Sequence, residues 1–420
     1  MSVPLAHIQV DTGSFFAIVM VAAIAAIIVA LLPKRMAPPV VVLELVLGIV
    51  IGPHVLHLAH IDDFVEFFSN LGLGMLFYFA GYEIDFQRIK GRPLELGAWA
   101  WVISVGLAFG IAGILVGLNW VESFLYVGAA MATTAIGTLI PILRDNGELK
   151  TRFGTYLLAA GGAGEFGPIL LVTLFFSTQS ALHESLILIA FVLLAIAVAL
   201  LSVRLAWKGW PALEKTFEAS SQLAVRVTVV LVFGLVLLAS NLGLDVLLGG
   251  FVAGLITRMA LKGHELTIFE SKLTAVGFGF FVPFFFVTSG IAFNLTALGS
   301  AAALGKLVLF FFLFLVVRGT PMLLLYRKVL AARDRAALAF YSATELPLVV
   351  AITTIAIDAG KMRSSTAAGL VGAAMLSTLV YPFVAMGLRK DALEEEAERP
   401  LPTGPFPEGE GPLPQPGLVG

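Results

Sequence analysis

Residues 153–177 read FGTYLLAAGGAGEFGPILLVTLFFS, a stretch that contains a single charged residue, Glu165. About 20 apolar residues suffice for a helix to cross the hydrocarbon core of a bilayer. A carboxylate in the middle of such a helix is costly and therefore marks a functional site. The stretch predicts a membrane helix in which Glu165 carries out chemistry.

The composition of the whole chain supports this interpretation. Of its 420 residues, 59% are hydrophobic and 13% are charged, and the mean hydropathy is +0.98. Soluble domains carry about 25% charged residues, so we predict an all-α polytopic membrane protein and exclude a soluble enzyme or a nucleic-acid binder. The absence of cysteine excludes disulfides and thiolate metal sites. We expect no cofactor, and no metal beyond a transported ion.

Thirteen segments satisfy the length rule for a membrane helix. The predicted spans are 13–32, 37–53, 65–84, 95–118, 123–143, 153–177, 184–207, 222–240, 244–260, 272–293, 302–326, 335–357 and 365–388. The span 37–53 is short, and 123–143 is interrupted by Gly, Thr and Pro.

Basic residues test this count independently. Every second connection is basic, and these connections together with the C-terminal segment hold 22 of the 26 Lys and Arg residues. By the positive-inside rule, the N-terminus lies outside and the C-terminus in the cytoplasm. The predicted location is the cytoplasmic (inner) membrane. We predict a transmembrane domain over 1–390. Residues 391–420, rich in Glu, Pro and Gly, are predicted to form a disordered cytoplasmic tail.

Weak internal matches recur at a nearly constant offset. Gly162 corresponds to Gly372 and Thr134 to Thr344 at an offset of 210, and Gly81 corresponds to Gly290 at 209. They predict repeat one over about 13–177, a linker helix at 184–207 and repeat two over about 222–388. Equivalent helices are an odd number of spans apart, so the two six-helix repeats are inverted, as in secondary transporters. Chance matching of small residues is the alternative.

Two corresponding spans contain polar interruptions. Residues 131–141 read MATTAIGTLIP, and residues 342–347 read SATELP. Paired interruptions of this kind predict two broken helices that cross at the midplane. The hydroxyls of Thr133, Thr134 and Thr344 are then candidate ligands for a small cation. The alternative is that each hydroxyl bonds back to its own helix.

The remaining buried charges suggest a division of roles. A buried carboxyl at Glu165 can hold either a proton or a cation, although it can also be a structural, protonated Glu. Arg318 stays charged in proteins, so we interpret it as a permanent counter-charge rather than a residue that reaches out to the interface. Its predicted partner is Glu345, with Glu83 as the second candidate.

Other polar residues are less informative. Glu44 lies in the short second span, at the level of the lipid headgroups or between helices. Three histidines, His54, His57 and His60, have the spacing of a metal-binding helix face. With only Asp62 and Asp63 as further ligands, a solvated loop is the favoured interpretation.

Four motifs resemble one known family. They are PPV at 38–40 continuing to GIVIGP at 48–53, AGYEID at 80–85, LLGGFVAGL at 247–255 and FFVTSGIAFNL at 285–295. The chain resembles the monovalent cation:proton antiporter superfamily, specifically its Kef-like branch. The resemblance implies a 13-helix inverted-repeat fold and a homodimer, in which a core moves against a dimerisation domain like an elevator. It also implies that Glu165 carries ion and proton.

The sequence departs from that family in three respects. Members usually have Asp where Glu165 stands, and commonly Asp, Asn or Gln where Gly164 stands. Kef-type systems append a nucleotide-binding regulatory domain, for which the predicted tail has no room, so we do not carry over nucleotide control.

We therefore predict an electroneutral transporter that exchanges H⁺ for Na⁺ or K⁺ within a lipid bilayer, and not an enzyme. Two alternatives remain: a proton-driven exporter of another solute or cation complex, and a channel-like or sensory membrane subunit. A membrane enzyme is disfavoured, since no span contains a histidine in its core or an Asp-rich pair.

Overall fold

The computed structural model describes residues 11–32, 38–84, 89–175, parts of 190–201, 222–242, 246–260 and 265–398. These residues form helices and contain no strand. The helices of the first repeat are α1 (Thr12–Leu31), α2 (Val40–Ile51), α3 (Asp63–Glu83), α4 (Arg92–Gly117), α5 (Phe124–Met131), α6 (Ile136–Asp145) and α7 (Arg152–Phe175).

The helices of the predicted second repeat come next in the chain. They are α8 (Leu223–Asn241), α9 (Val246–Ala260), α10 (Glu265–Val276), α11 (Val282–Ala292), α12 (Ala301–Phe314), α13 (Thr320–Leu325), α14 (Ala332–Ser342), α15 (Pro347–Asp358) and α16 (Ser364–Glu398). Turns of π-helix, Gly277–Phe281 and Leu315–Gly319, connect α10 to α11 and α12 to α13.

This arrangement confirms the predicted all-helical membrane fold. Eight helices of the described chain are long and apolar enough to cross a membrane. Two of the predicted spans, 123–143 and 335–357, are each broken into two helices, α5–α6 and α14–α15, as the polar interruptions indicate. The linker span 184–207 lies mostly outside the described residues. Helix α16 extends through Glu398, eight residues into the predicted tail, and the rest of that tail lies outside the described residues.

Several helices on the predicted outer side begin with a side-chain N-cap. The Asp11 carboxylate accepts from the Gly13 N–H, Asp62 from the Val65 N–H at 2.7 Å, and Ser300 from the Ala303 N–H. These contacts satisfy N–H groups that the helices leave without internal partners. The hydrogen bond from the Ser14 hydroxyl, together with nearby N–H groups, holds the pKa of Asp11 below its usual value.

Close helix crossings explain four of the glycines in the family motifs. A Cβ on Gly48 would lie 2.2 Å from the Val287 carbonyl oxygen, and one on Gly290 would lie 2.1 Å from that of Leu45. The α3–α9 pair crosses in the same way through Gly81 and Gly254. In the predicted repeats, α2 corresponds to α9 and α3 to the α10–α11 span, so the two crossings occupy corresponding positions.

The helices form two groups, each with three spans from each repeat. We call α1–α3 and α8–α11 the scaffold group, and α4–α7 and α12–α16 the crossing group. The first is assembled through the glycine crossings, and the second surrounds the two broken helices. The groups meet where α3 contacts α6, where α9 contacts α7 and where α2 contacts α16.

Proline explains the two π turns, which the sequence analysis did not predict. Pro283 and Pro321 each lie at the second position of the following helix. A proline cannot donate to the carbonyl four residues before it, and its ring crowds that carbonyl. For Pro321 this carbonyl belongs to Val317, and it accepts a hydrogen bond of 3.0 Å from the Ser104 hydroxyl. Since Arg318 follows Val317, the proline shapes the segment that carries the buried charge.

Ion pairs fasten the crossing group near both of its ends. Near one end, Arg389 of α16 contacts Glu148 at 3.0 Å and Asp334 at 2.8 Å. Near the other, Arg363 contacts Glu122 at 2.9 Å. Each cluster joins residues of both repeats, so the two halves of the crossing group are held together on either side of the broken helices.

Candidate ion-binding site

The two helix breaks cross in direct contact. Residues 132–135 separate α5 from α6, and residues 343–346 separate α14 from α15. The Ala135 N–H donates to the Thr344 carbonyl at 2.8 Å, and the Thr134 N–H donates to the Gly164 carbonyl of α7 at 3.0 Å. Backbone groups released by the breaks thus bind each other and the neighbouring helix, which makes the irregular segments tolerable inside a membrane.

The three predicted threonines use their hydroxyls differently. Thr133 donates to the Ala130 carbonyl at 3.0 Å and Thr344 to that of Phe340 at 3.2 Å, so both bond back to their own helices. The hydroxyl of Thr134 instead crosses to the other break and donates to the Ser342 carbonyl at 2.5 Å. It also accepts a hydrogen bond from Arg318. In this conformation the Thr134 oxygen is therefore committed to the crossing.

Arg318 is fully buried at the crossing and does not extend to an interface. Its Nε donates to the Thr134 hydroxyl at 2.9 Å, and its Nη1 to the Ser104 hydroxyl at 3.1 Å. A longer contact of 3.3 Å joins Nη2 to the Ala160 carbonyl of α7. The guanidinium thus ties α4, α5–α6 and α7 of the first repeat to a helix of the second.

The absence of a side chain at Gly164 makes room for this guanidinium. A Cβ at Gly164 would lie 2.2 Å from Arg318 Nη2 and 2.7 Å from the Thr134 hydroxyl oxygen. Distances this short require a displacement of the buried arginine. The glycine in the position before Glu165 and the arginine at 318 are therefore one packing arrangement: the positive group occupies the space that a larger residue would fill.

Glu345 lies on the second break and is fully buried. Serine and threonine side chains of α16 hold its backbone: its N–H donates to the Ser377 hydroxyl at 3.0 Å, and its carbonyl accepts from Ser377 and Thr378. Both carboxyl oxygens are buried and lack a partner with full hydrogen-bond geometry among the described residues, but the Thr133 hydroxyl of the first break lies close enough to act on the carboxyl. Arg318 acts on the carboxyl electrostatically. The predicted pairing is thus a through-space interaction, because the donors of Arg318 already serve hydroxyls and carbonyls.

Glu165 is also buried, with 2% of its surface exposed, but its surroundings differ. Its Oε2 lacks a hydrogen-bond partner within the described chain, and no described charged group acts on its carboxyl. Its neighbour Phe166 stacks on Phe251 of α9, with ring centroids 5.2 Å apart. Glu165 therefore lies on the crossing-group helix that contacts the scaffold group.

The structure separates the other candidates from the crossing. Glu83 is half-buried at the end of α3, and the groups that act on Arg318 are Glu345 and Tyr326. His60 contacts the carboxylate of Asp11 at 3.3 Å. Nowhere in the described chain do three or more His, Asp or Glu side chains converge as in a metal site.

Three polar residues at the crossing are not among those that the sequence predicts: Ser104, Ser377 and Thr378. Each is a small polar residue inside an apolar helix, and each is buried beside one of the two charges at the crossing. That pattern is a usable signal. On its own it is weak, because most serines and threonines in membrane helices bond to their own backbone.

The site thus contains two buried carboxyls of different character. Glu345 lies within reach of a fixed positive charge and its backbone is clamped on both sides. Glu165 has neither, so its carboxylate gains most from a bound proton or cation. Unwound backbone and hydroxyl oxygens nearby are the ligand type that small hard cations prefer.

Comparison with known proteins gives consistent matches. A family model described as "Sodium/hydrogen exchanger, transmembrane" matches residues 19–386. The Na(+)/H(+)-K(+) antiporter GerN of Bacillus cereus is 28% identical over 274 residues, which cover 64% of this chain and 69% of GerN. The putative Na(+)/H(+) antiporter YjbQ of Bacillus subtilis is 24% identical, over 87% of this chain and 62% of its own length.

A solved structure has the same fold. The sodium proton antiporter MjNhaP1 of Methanocaldococcus jannaschii, determined at pH 8, matches with a TM-score of 0.60 and 16% sequence identity. The match covers 91% of this chain and 98% of that one.

Proposed function

The chain belongs to the sodium/hydrogen exchanger family, and from this premise we propose that it exchanges protons for Na⁺ or K⁺ across the cytoplasmic membrane. The observation that carries the proposal is the Glu165 carboxyl, which is buried beside the first helix break and has no charged partner among the described residues. The name of its relative GerN, a Na(+)/H(+)-K(+) antiporter, includes both alkali cations.

In the proposed mechanism, proton and cation compete for Glu165. A carboxylate buried in a membrane protein must be neutralised, either by a covalently bound proton or by a cation at close range. Each occupant excludes the other, so the carboxyl crosses the membrane loaded with one of the two. Because Glu165 binds either a proton or a cation, the movement of protons in one direction is coupled to the movement of cations in the other.

Neighbouring oxygens are proposed to complete the cation site. Thr133 and Thr344 donate their hydroxyl protons to their own helices, which leaves oxygen lone pairs for a cation. Thr134 becomes a ligand only if it releases Arg318. Arg318 and Glu345 are proposed to balance one another and to stabilise the crossing, with no part in carrying protons.

We propose that the crossing group carries the site across the membrane by an elevator-like motion against the scaffold group. Contacts between the groups include Phe166 on Phe251 and the approach of Ile84 to Gly162. Both are apolar and can slide without breaking an ion pair. The scaffold group is proposed to form a homodimer, with the N-terminus outside and the C-terminus in the cytoplasm.

Reconstitution tests the function directly. Proteoliposomes loaded with a pH-sensitive dye and energised with a pH gradient are given Na⁺, K⁺ or choline chloride. Antiport predicts that Na⁺ or K⁺ collapses the gradient, and that choline does not. Glu165→Gln should abolish the response, whereas Glu95→Gln, a change at an exposed residue of α4, should retain it.

If neither Na⁺ nor K⁺ collapses the pH gradient, although the protein is folded and correctly oriented, cation exchange is contradicted and transport of another solute is favoured. Downhill flux of Na⁺ or K⁺ without any counterflow of protons would favour a channel-like protein. Full activity of Glu165→Gln would remove the proposed carrier.

A further inference from the structure

A third buried carboxyl lies outside the site just described. Glu44 is on α2 in the scaffold group and is 4% exposed. Its Oε2 is buried and has no hydrogen-bond partner among the residues that the structure describes. An unpaired carboxyl inside a membrane protein is costly, and neither the antiport mechanism nor the packing of α2 uses it.

Glu44 lines a cavity between α1, α2 and the π turn that precedes α11. The cavity has a volume of about 300 Å³, which is the lower end of the range for small-molecule sites. It is partly open to the surface of the molecule, since the lining residues Ala23 and Phe280 are exposed. One water molecule occupies about 30 Å³ in the liquid, so a molecule of about ten non-hydrogen atoms would fit.

The chemistry of the lining selects the kind of occupant. Apart from Glu44, the lining consists of aliphatic residues, alanines, phenylalanines, a glycine and a proline. One carboxyl without hydroxyl or amide side chains beside it is a poor site for a dehydrated alkali ion, which needs several oxygen ligands. Three aromatic rings, those of Phe278, Phe280 and Phe284, instead provide surfaces that attract an organic cation and its apolar body.

The π turn contributes to the shape of this cavity. Phe278, Gly279 and Phe280 all belong to it, and Pro283 follows. Such turns are rare and occur frequently at functional sites. Gly279 is exposed, and a Cβ placed on it would meet no atom within 4 Å, so no close contact requires a glycine at this position.

We propose that this cavity is a binding site for an organic monocation with an apolar body, held by Glu44 and the aromatic wall. The ligand class is that of arylalkyl-ammonium ions. The site lies in the scaffold group, whereas Glu165 lies in the crossing group, so ligand binding here is separate from the exchanged ions and does not rest on the proposed antiport.

Binding to the purified full-length protein in detergent tests the proposal. The probe is 2-phenylethylammonium, and its neutral counterpart 2-phenylethanol has the same shape without the charge. Isothermal titration should give tighter binding of the ammonium ion, by about ten- to a hundredfold, because a hydrogen bond to a charged group adds that much discrimination. Glu44→Gln should remove the preference for the cation.

Two further variants test whether binding depends on the free volume of the cavity as well as on the charge of Glu44. Ala22→Leu keeps Glu44 but enlarges a half-buried side chain of the cavity lining, so it should weaken both probes by at least about tenfold. Ala23→Leu fills the cavity from α1 and serves the same purpose if the first variant does not fold. Glu165→Gln should leave both affinities unchanged.

The proposal is overturned if Glu44→Gln binds the ammonium ion as tightly as the unmodified protein, or if both cavity-filling variants do. Loss of binding in Glu165→Gln would move the ligand to the antiport site. An unmodified protein that binds neither probe would also overturn it.

Discussion

The two helix breaks have similar backbones but place their acidic residues differently. In the first repeat the break itself is neutral, and the carboxylate, Glu165, lies on the neighbouring helix α7. In the second repeat the carboxylate, Glu345, lies on the break, and the equivalent helix α16 contributes only the hydroxyls of Ser377 and Thr378 near it. Residue 345 corresponds to Ala135 at the repeat offset of 210. The helix breaks therefore match between the two halves of the chain, but the positions of the acidic residues do not.

From this difference we propose that the two carboxyls have different roles. Glu345 is surrounded by the parts of the molecule that hold the crossing together, and the fixed charge of Arg318 acts on it. Glu165 lies on the helix that contacts the scaffold group through Phe166, and no charged group of the described chain acts on its carboxyl. A residue whose charge is already balanced gains little by binding a cation, whereas an unbalanced one gains much.

The largest expected effect separates the two carboxyls by function. Glu165→Gln keeps the size of the side chain but removes its charge, so exchange should fall to the level of protein-free liposomes. Glu345→Gln should retain measurable exchange, because its carboxyl is not the carrier in this mechanism. Dye-reported pH changes in proteoliposomes, at equal reconstituted protein, measure both. Loss of exchange in both variants would erase the functional contrast.

The second effect concerns stability and should show the reverse order. Removing one member of a buried charge pair strands the other, at a cost of about 3–5 kcal/mol. We therefore expect Arg318→Ala to lower thermal stability strongly and Glu165→Gln to change it little. Combining Arg318→Ala with Glu345→Ala should recover part of the loss.

Thermal unfolding of the four proteins of this double-mutant cycle measures the coupling. Strictly additive losses would mean that Arg318 serves only the hydroxyls of Ser104 and Thr134, and that Glu345 is balanced by something else.

The fold was largely predictable from sequence, for a physical reason. Length and hydropathy determine where helices cross a membrane, and the glycines at 48, 81, 254 and 290 belong to the motifs that carry the family resemblance. The structure places each of them at a helix crossing that leaves no room for a Cβ. The helix breaks were predictable as well, since polar residues and proline interrupt otherwise apolar spans.

The details of the site were less predictable. Gly164 departs from the residue types that the family resemblance implies at this position, yet nothing in the sequence indicates that a guanidinium 154 residues away in the chain fills its space. Likewise, the hydroxyl of Thr134 bonds across to the other break while that of Thr133 bonds back. Which of two adjacent threonines turns inward depends on tertiary contacts that periodicity does not encode.

The third effect tests this packing. Gly164→Ala places a Cβ 2.2 Å from Arg318 Nη2, whereas Gly162→Ala meets only the end of the Ile84 side chain, at 3.2 Å. Both changes favour helix formation equally, so their difference reports the contact with arginine. Overpacking a buried site costs about 1–3 kcal/mol, and we expect that difference in thermal unfolding. Equal stabilities would show that the guanidinium moves aside freely.

The smallest expected effect is that of membrane potential. Glu165 alternates between a protonated, neutral form and a cation-paired form, so the moving group carries the same net charge in both directions. Moving one elementary charge through the field is worth about 2.3 kcal/mol per 100 mV, and an electroneutral cycle escapes this contribution. Exchange rates in liposomes clamped at zero and at a large imposed potential should therefore agree.

Arg318 and Glu345 leave this expectation unchanged as long as their charges are constant through the cycle. Gly164 contributes no side chain beside Glu165, so the described part of the first break offers one titrating carboxyl. A sustained current on a solid-supported membrane, or a rate that shifts several-fold with potential, would require a second titrating group. Glu345 would then be the first residue to neutralise, because it is the other buried carboxyl at the crossing. Glu345→Gln should then make the exchange rate independent of voltage. In that case both helix breaks would contribute a titrating carboxyl to transport, although their structures differ.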